Sequence, residues 1–543
     1  MSCGAWTYEA SMPAFVQYSR KYRVGKLVLG RNALALLLLN SYGQQEWVNR
    51  LDFQYDDLEC IVLSEGDEDG VVTISSLQAP KIYERCQFSI ENLFLSSAVR
   101  KTEAKKFRIT GLDESHRGIA GRCFVYRITL MDREALARVK IFLGKCSTAP
   151  PVVPRWVKVI SPSTPFQEEL LDLEKAVNLE DDQTVLPYET KFQLIKLAWN
   201  AKLSPNITKQ LVPFISTLQK RIGRFACYEA LRMIYNTIPA PGPHVPAQEF
   251  DLDNLRGQLL TFGKSYKQKG SIFDLLKKNA HLKLIYRLRV TPTGIYLEGP
   301  EPEVTNRVIR KYEDHIRSFV RVVFSDEDGQ RIEFERNTNM ERIFHERFKD
   351  LLSNGITLCG RRFDFLGFSG SSLKSSTAWF MSPIIVDSEL QKTVHASQVI
   401  ERLGEFGHIR SPAKCAARIG QAFTDTSTWL PLRPGALAWK KDIIHPITGR
   451  VFSDGCGTIS EELVEHIWEK YERLEMRLKP VVFQIRYQGN YAVLCVFDFG
   501  WPTVCGHFVQ STANLHIRCE RNFVPRSRSE WPDGLRSAVH VEI

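Results

Sequence analysis

The stretch Phe452-Ser-Asp-Gly-Cys-Gly-Thr-Ile-Ser460 is turn-rich at its start and ends on a residue type that caps helices. Glycine, serine and aspartate favour turns, and a serine such as Ser460 is favoured at a helix N-terminus. Apolar residues then recur at helical spacing, which places them on one side of a helix: Leu463, Val464, Ile467, Trp468 and Tyr471. Two later runs rich in β-branched and aromatic residues, Val481–Tyr487 and Tyr491–Phe497, predict strands. Residues 441–543 are therefore predicted to combine strands with one helix.

Residues 1–150 are predicted to form a mixed α/β domain of unknown role. Three stretches in it have the composition of strands: Glu59–Leu63, Gly70–Ile74 and Arg122–Leu130. The proline-rich Ala149–Pro154 marks the predicted end of this domain, because prolines interrupt regular structure.

A helical region is predicted over residues 155–246. Thr164-Pro-Phe-Gln167 resembles a helix start in which Thr164 and Gln167 form a capping box. Apolar residues follow at helical spacing: Phe166, Leu170, Leu173 and Val177. Lys191–Asn200 and Gln210–Asn236 continue the helical pattern. The prolines of 238–246 end it and predict a linker.

Residues 250–440 are predicted to be a basic slab or linker region, in which strand-like and helical stretches alternate from Arg289 to about Phe380. Phe319–Phe324 is predicted as a strand and Glu341–Leu352 as a helix. The acidic sequence Asp326-Glu-Asp-Gly329 is predicted to be a solvated hairpin turn, and Asp251-Leu-Asp253 a solvated turn. A chain of 543 residues suits three or four domains at about 150 residues each. The predicted fold class is therefore α+β multidomain: the mixed N-terminal domain, the helical linker region, an α/β slab-like region and a strand-rich end.

Positive charge is concentrated in one part of the chain. The net charge is +10, and residues 255–289 contain nine basic residues and one acid. Such a segment attracts polyanions, of which nucleic acid is the commonest, although a solvated helix face has the same composition. Arg410, Lys414 and Arg418 recur every four residues, so on a helix they would form one basic stripe that can meet phosphates.

Composition excludes several protein classes. Hydrophobic residues make up 43% of the chain, which suits a globular protein. The longest apolar run, Ala33–Leu39, is far below the ~20 residues that cross a membrane, and no signal peptide is recognisable. The twelve cysteines include no Cys-x-x-Cys pair, which favours reduced thiols and an intracellular location, in the nucleus or cytoplasm.

Short catalytic and metal-binding motifs receive little support. Gly257–Ser265 has five residues between its glycines where a phosphate-binding loop needs four. Four residues have side chains that suit zinc, but their spacing is uncommon for a zinc site, so buried thiols and surface imidazoles are the favoured interpretation: Cys505, His507, His516 and Cys519.

A series of stretches occurs in a fixed order between Arg289 and Tyr487. They are Arg289–Pro292, Leu297–Glu303, Asn306–Arg310, Phe319–Gly329, Phe365–Leu373, Trp379–Phe380, Lys414–Phe423, Phe452–Ser460 and Phe483–Tyr487. In content and order they resemble the cellular RNA-dependent RNA polymerases of eukaryotic RNA silencing. Pro187–Lys220 is similar to the fungal branch of that family, whereas residues 1–150 match nothing in it.

The resemblance implies a catalytic core of two double-psi β-barrels, of which the first would begin near Ser453. In the family, Mg²⁺ is held by an Asp-x-Asp-Gly-Asp signature on the second barrel. The sequence does not contain it, and Asp498-Phe-Gly500 offers one carboxylate only. The resemblance implies that residues 441–543 are this first barrel, expected to be incomplete, with Ile543 inside or just after it. Tyr491 also stands where the family has a lysine, so a basic contact to substrate phosphate would be missing.

The resemblance favours a silencing-type RNA-dependent RNA polymerase, or its N-terminal part. Its partners would be a single-stranded RNA template, nucleoside triphosphates and other RNA-silencing proteins, without a membrane. The candidate RNA-binding residues are Lys264, Lys267, Lys269, Lys277, Lys278, Arg410, Lys414, Arg418, Gln484 and Arg486. No catalytic or metal-binding residue is assigned. The alternative is a non-catalytic RNA-binding or scaffold protein derived from the same fold. A metabolic enzyme with a dispersed site is a third, less favoured hypothesis.

Overall fold

The computed structural model describes fifteen ranges of the chain. They are 1–39, 47–65, 69–85, 106–179, 186–266, 282–387, 392–424, 428–431, 437–440, 443–451, 456–471, 481–487, 490–496, 515–518 and 538–542. The chain divides into two compact units. Unit 1 consists of Met1–Lys278, Leu284–Glu301 and His315–Glu405, and unit 2 of Asn279–Lys283, Pro302–Asp314 and Phe406–Ile543.

Among the described residues, strands β1 to β9 come before the first α-helix, helices α3 to α7 follow one another after β12, and shorter helices are interspersed with the later strands. The strands are β1 (Ser2–Glu9), β2 (Met12–Gln17), β3 (Val24–Leu29), β4 (Ala33–Leu39), β5 (Trp47–Gln54), β6 (Leu58–Glu65), β7 (Gly70–Ser76), β8 (Lys81–Arg85), β9 (Lys106–Arg108), β10 (Val125–Thr129), β11 (Val152–Pro154), β12 (Lys158–Ile160), β13 (Leu282–Val290), β14 (Ile295–Val304), β15 (Phe319–Phe324), β16 (Thr338–Asn339), β17 (Ile356–Leu358), β18 (Arg361–Gly367), β19 (Thr377–Met381), β20 (Ile384–Asp387), β21 (Lys392–Val394), β22 (Thr428–Pro431), β23 (Leu437–Lys440), β24 (Cys456–Ile459), β25 (Val482–Tyr487), β26 (Asn490–Val496), β27 (Leu515–Arg518) and β28 (Ala538–Glu542). The helices are α1 (Glu114–Ile119), α2 (Arg133–Lys145), α3 (Phe166–Asn178), α4 (Tyr188–Trp199), α5 (Pro205–Ile222), α6 (Arg224–Thr237), α7 (Leu252–Ser265), α8 (Arg307–Lys311), α9 (Glu341–Ile343), α10 (Asp350–Asn354), α11 (Gly370–Lys374), α12 (Ala396–Glu401), α13 (Pro412–Gly420) and α14 (Glu461–Tyr471).

Two sheets in the N-terminal part of unit 1 share one hydrophobic core. The first has the order β11-β6-β7-β10-β1-β2-β12 and the second β16-β9-β8-β5-β4-β3. Leu34 and Leu36 of β4 and Ile61 and Ile74 of the first sheet are at most 2% exposed in the shared core. Strand β16 comes from much later in the chain and pairs in parallel with β9, so that residues 338–339 belong to the N-terminal sheet.

Helices α3 to α7 and a third sheet form the second core of unit 1. The sheet has the order β14-β13-β15-β19-β18-β17, and its inward residues pack with those of the helices in one cluster. A fully buried aromatic group joins the two layers: Phe192 of α4 lies 4.8 Å from Tyr286 of β13, between ring centroids. These helices and this sheet therefore share one core within unit 1.

Unit 2 contains a seven-stranded sheet, and helix α14 lies between its strands β24 and β25. Its order is β22-β28-β25-β26-β24-β27-β23. Strands β25 and β26 form an antiparallel hairpin, whereas β24 pairs in parallel with β26. Helix α14 begins after Ser460, whose hydroxyl accepts from the Leu463 backbone N–H at 3.3 Å. The cap predicted from the sequence is confirmed, and Val464 and Ile467 are buried as expected.

The mixed α and β architecture with several sheets is confirmed, while the predicted domain boundaries stay a prediction. Two local predictions are corrected. Helix α3 begins after Pro165 without a side-chain cap, so Thr164 and Gln167 do not form a capping box. The helical pattern over 210–236 is two helices, α5 and α6, because Gly223 adopts a φ of +89°, which a helix cannot contain.

Candidate nucleic-acid interface

The basic segment 255–289 is largely paired with acids where the structure describes it. Arg256 contacts Asp253 at 3.0 Å, Arg287 contacts Glu301 at 3.2 Å, and Arg289 contacts Glu298 at 2.8 Å. Lys264 is exposed near the end of α7. Lys267, Lys269, Lys277 and Lys278 lie outside the described residues. Gly257–Ser265 is part of a helix, so it does not form a phosphate-binding loop.

The predicted basic stripe lies at helix α13 of unit 2. The helix begins at Pro412, two residues after Arg410, and contains Lys414 and Arg418 one turn apart on the same side. All three side chains are exposed. The positive end of the helix dipole coincides with Arg410 and Lys414, which makes this end the more attractive one for an anion.

The hairpin of β25 and β26 presents the other two candidates. Gln484 is exposed, and its neighbours Phe483 and Ile485 are at most 1% exposed, as expected for a strand with one buried face. Arg486 lies two residues further along β25, where it is opposite Tyr491 of β26 in the antiparallel register. The side chain of Arg486 is outside the described residues.

The predicted turn at Asp326–Gly329 exists, but only its second half, Asp328 and Gly329, is exposed. The Gly329 backbone N–H donates to the Asp326 carbonyl at 3.0 Å, and Gly329 has a φ of +78°. Asp326 and Glu327 are 5% and 2% exposed, so the prediction of a solvated turn is wrong for these two residues. The reason is the pairing of this turn with bases on strands β8 and β9, which the local sequence does not reveal.

Arg108 of β9 lies at the centre of this buried ion cluster. Its side chain is 1% exposed, and its Nη2 donates to Asp326 Oδ1 at 3.1 Å and also to Glu327. Lys81 of β8 forms a second ion pair with Asp326, in which Nζ lies 2.6 Å from Oδ2. Thr293 Oγ1 donates to Glu327 Oε1 at 3.1 Å. Two carboxylates and two bases thus join the N-terminal sheet to the slab region.

The two carboxylates respond to burial in opposite ways. Burial raises the pKa of Glu327 to about 8, although the charge of Arg108 opposes the shift. Burial also disfavours the charge on Asp326, but a hydrogen bond from Glu327 and the charges of Arg108 and Lys81 outweigh it and lower the pKa of Asp326. Glu327 is therefore the group of this cluster that titrates in the neutral range.

We expect the stability of the chain to depend on pH through Glu327. A carboxyl whose pKa is raised by folding stabilises the folded state below its unfolded pKa and loses that contribution as pH rises through its folded pKa. The free energy of unfolding should thus decline between the unfolded pKa of ~4.3 and the folded pKa of about 8, by at most ~1.4 kcal/mol per pH unit. Urea denaturation at several pH values measures the slope. Glu327→Gln should flatten it, whereas exposed Glu333→Gln should not; parallel curves for wild type and Glu327→Gln would contradict the assignment.

The acidic residues near this cluster do not fit a Mg²⁺ site. A cavity of about 160 Å³ beside it is lined by Asp52, Asp57, Glu327 and Asp328, together with Lys81. Asp326 and Glu327 already accept hydrogen bonds from bases, so their oxygens are engaged. In the described ranges, no group of three or more histidine, cysteine, aspartate or glutamate side chains is arranged to hold a metal ion. The cysteine and histidine side chains considered for zinc lie outside those ranges.

Asp251 and Asp253 are exposed, and their role is local. Asp251 caps α7 by accepting from the backbone N–H groups of Asp253 and Asn254.

The helices that the structure describes include none with the length and apolarity needed to cross a bilayer.

Known proteins resemble the chain in two regions. Residues 290–502 match the family described as RNA dependent RNA polymerase, and residues 1–164 match the fungal RdRP associated PH-like domain. The second match shows that the expectation of no resemblance for residues 1–150 is wrong. RNA-dependent RNA polymerase 1 of Arabidopsis thaliana is 36% identical over 222 residues, which are 40% of this chain and 19% of that protein. RNA-dependent RNA polymerase 1 of Schizosaccharomyces pombe is 28% identical over 297 residues, 54% of this chain and 22% of that protein.

The matched region is a small part of each relative. RNA-dependent RNA polymerase 6 of Arabidopsis thaliana is 34% identical over 44% of this chain, which covers 21% of that protein. Among solved structures, the RNA dependent RNA polymerase QDE-1 from Thielavia terrestris has 13% identity and a TM-score of 0.36, over 52% of this chain and 32% of that one. A score of this size does not establish a shared fold.

Proposed function

We propose that the protein acts in template-directed RNA synthesis of the gene-silencing type, because residues 290–502 match the RNA-dependent RNA polymerase family and residues 1–164 match its fungal PH-like domain. Its substrates would be single-stranded RNA and nucleoside triphosphates, and its partners would include other RNA-silencing proteins. The observation that supports this most is the colinear match to eukaryotic polymerases of that name at up to 36% identity.

The sheet of unit 2 is proposed to be the described part of a double-psi β-barrel. The parallel pair of β24 and β26, connected through α14 and the antiparallel β25, supports this proposal. Gln484 on the exposed face of β25 and the stripe of α13 would then contact the RNA backbone. Mg²⁺, expected for the family, would depend on carboxylates other than the engaged Asp326 and Glu327, so no metal-dependent step is assigned to these residues.

RNA binding and synthesis can be tested separately. The chain is titrated with labelled single-stranded RNA at several salt concentrations, and primer extension is measured in parallel with Mg²⁺. Binding with a steep salt dependence together with extension supports the polymerase proposal. Binding without extension favours the non-catalytic RNA-binding alternative. Absence of both contradicts a role in RNA synthesis or RNA binding.

We expect Arg410→Ala/Lys414→Ala to weaken RNA binding equally for all sequences. Contacts to phosphate carry no sequence information, and two exposed ionic contacts are worth about 1 kcal/mol together, roughly fivefold in Kd. The slope of log K against log salt should become shallower by about 1.4, because each single-strand phosphate contact contributes ~0.7. Lys140→Ala/Lys145→Ala removes two exposed charges from α2 and serves as the control. An equal change in both variants would contradict a site at α13.

A further inference from the structure

Phe334 is an exposed aromatic residue that lies outside the helices and strands. It is 80% exposed and lies between the turn at Asp326–Gly329 and helix α9. A single exposed apolar side chain is common on protein surfaces and by itself indicates nothing. Three features of its surroundings distinguish it: an anchored backbone, a row of supporting rings and an excess of unpaired bases.

The backbone beside Phe334 is anchored by the next residue. Glu335 Oε1 accepts from the Tyr83 hydroxyl at 2.7 Å, and Oε2 accepts from Lys106 Nζ at 3.2 Å. Three residues later, Thr338 enters the sheet beside Lys106 of β9. The aromatic ring is therefore presented to solvent by a segment tied to two strands, so little ordering entropy remains to be lost when a ligand binds it.

A row of phenylalanine rings in successive contact connects Phe334 to strand β15. Its centroid lies 6.1 Å from that of Phe344 at an interplanar angle of 35°. Phe344 lies 5.7 Å from Phe348, which lies 5.3 Å from Phe324 of strand β15. Beside the outer two rings is an open groove of about 500 Å³, which is also lined by Thr338, Asn339, Met340, Glu341 and His345. Its volume is in the range of small-ligand sites.

The charges around the groove favour an anionic ligand. Two of the acids near it are paired: Glu335 as above, and Glu346 with Arg117 at 3.5 Å. Glu341 lines the groove and is 69% exposed, with His345 at 3.7 Å beside it. Arg331, Arg336 and Lys349 are exposed, and the described part of the chain gives none of them an acidic partner. These three bases stand against two exposed acids, Glu333 and Glu341, so the excess of positive charge among them is one.

We propose that the groove beside Phe334 binds a nucleotide of single-stranded RNA, with the base stacked on Phe334 and the adjacent phosphates at Arg331 and Arg336. Aromatic rings flanked by bases are the means by which proteins hold unpaired strands, because every base has a face that can stack. The Asn339 amide at the groove can hydrogen-bond to a base edge. A protein segment would use the apolar surface but would gain less from the three unpaired cations. The proposal rests on the proposed function and assigns part of the template contact to the slab region.

Substitution of Phe334 in the full chain tests the proposal. Stacking of one base on an aromatic ring is worth ~1–3 kcal/mol, so Phe334→Ala should weaken single-stranded RNA binding about fivefold to a hundredfold. Phe334→Leu should weaken RNA binding as much as Phe334→Ala does, because leucine has no aromatic face. Phe334→Trp should keep the wild-type affinity, because it can still stack on a base. Phe225→Ala, at a 49% exposed phenylalanine on α6, should bind as the wild type does. Equal melting temperatures would show that the variants are folded.

Cross-linking locates the contact directly. RNA containing 4-thiouridine is irradiated with the protein and digested with trypsin, which cuts after Arg331 and Arg336. The expected product is the peptide Ile332–Arg336 carrying a nucleotide, and it should be absent from Phe334→Ala.

Each outcome has a distinct meaning. If Phe334→Ala binds RNA as tightly as the wild type, the proposal that the groove binds RNA is contradicted. The proposed function of the chain is unaffected by that result. Wild-type affinity in Phe334→Leu alone overturns base stacking in favour of an apolar contact, as a protein ligand would make. A wild-type chain that binds no RNA overturns the proposed function itself.

Discussion

Arg108→Met is expected to lower the free energy of unfolding by ~3–5 kcal/mol, which is the cost of removing one partner from a buried ion pair. The Arg108 side chain is 1% exposed and contacts both Asp326 and Glu327, which are themselves buried. Without the guanidinium, Lys81 still pairs with Asp326, but no base remains against Glu327. Urea denaturation followed by circular dichroism measures the loss.

A second substitution separates the lost pair from simple damage to the core. Arg108→Met/Glu327→Leu removes the stranded carboxyl as well, so it should be more stable than Arg108→Met by at least ~1 kcal/mol in a double-mutant cycle. Arg362→Met breaks the exposed pair with Asp364, whose side chains are 64% and 44% exposed, and should cost no more than ~1 kcal/mol. If Arg108→Met costs as little as Arg362→Met, the cluster does not join the N-terminal sheet to the slab region.

Phe192→Ala is expected to cost ~3–5 kcal/mol, because it leaves a cavity where a fully buried ring was. Phe192 meets Tyr286 at 4.8 Å and an interplanar angle of 67°, which is the edge-to-face geometry that aromatic pairs prefer. Tyr188 lies 5.1 Å from the same Tyr286 ring. The substitution therefore affects the contact between α4 and β13, and the urea midpoint should fall strongly.

Size and position are tested by two comparisons. Phe192→Leu keeps most of the volume and should cost less than ~1.5 kcal/mol. Leu171→Ala, at a 53% exposed position of α3, should stay within ~0.5 kcal/mol of the wild type. An equally small effect of Phe192→Ala would show that the helices and the sheet do not share a core.

Local patterns in the sequence predicted helices and strands well where apolar or β-branched residues recur with the regular spacing of one kind of element. Phe319–Phe324 is a strand with the predicted bounds, and Phe166, Leu170, Leu173 and Val177 are buried on α3 as their spacing indicates. Lys414 and Arg418 are exposed one turn apart on α13, whereas Arg410 precedes the helix. These outcomes depend on contacts between residues close in sequence, which a periodic pattern encodes.

Contacts over long distances in sequence were not predictable in this way. The acids at Asp326 and Glu327 have the composition of an exposed turn, and only the pairing with Lys81 and Arg108, more than 200 positions earlier, explains their burial. The helical spacing from 210 to 236 does not reveal the break at Gly223. The exposed Phe334 lies in no regular pattern, so its role depends on Glu335 and the neighbouring rings.

The two-residue strand β16 means that the boundary between the two matched families is not a boundary in the fold. A fragment ending near residue 164 would expose the edge of β9 and leave Arg108 buried without either carboxylate. A fragment beginning near residue 290 would keep Asp326 and Glu327 without their bases. Recombination that transfers one part to another gene would thus produce a chain with stranded charges. The two parts are therefore expected to be inherited together.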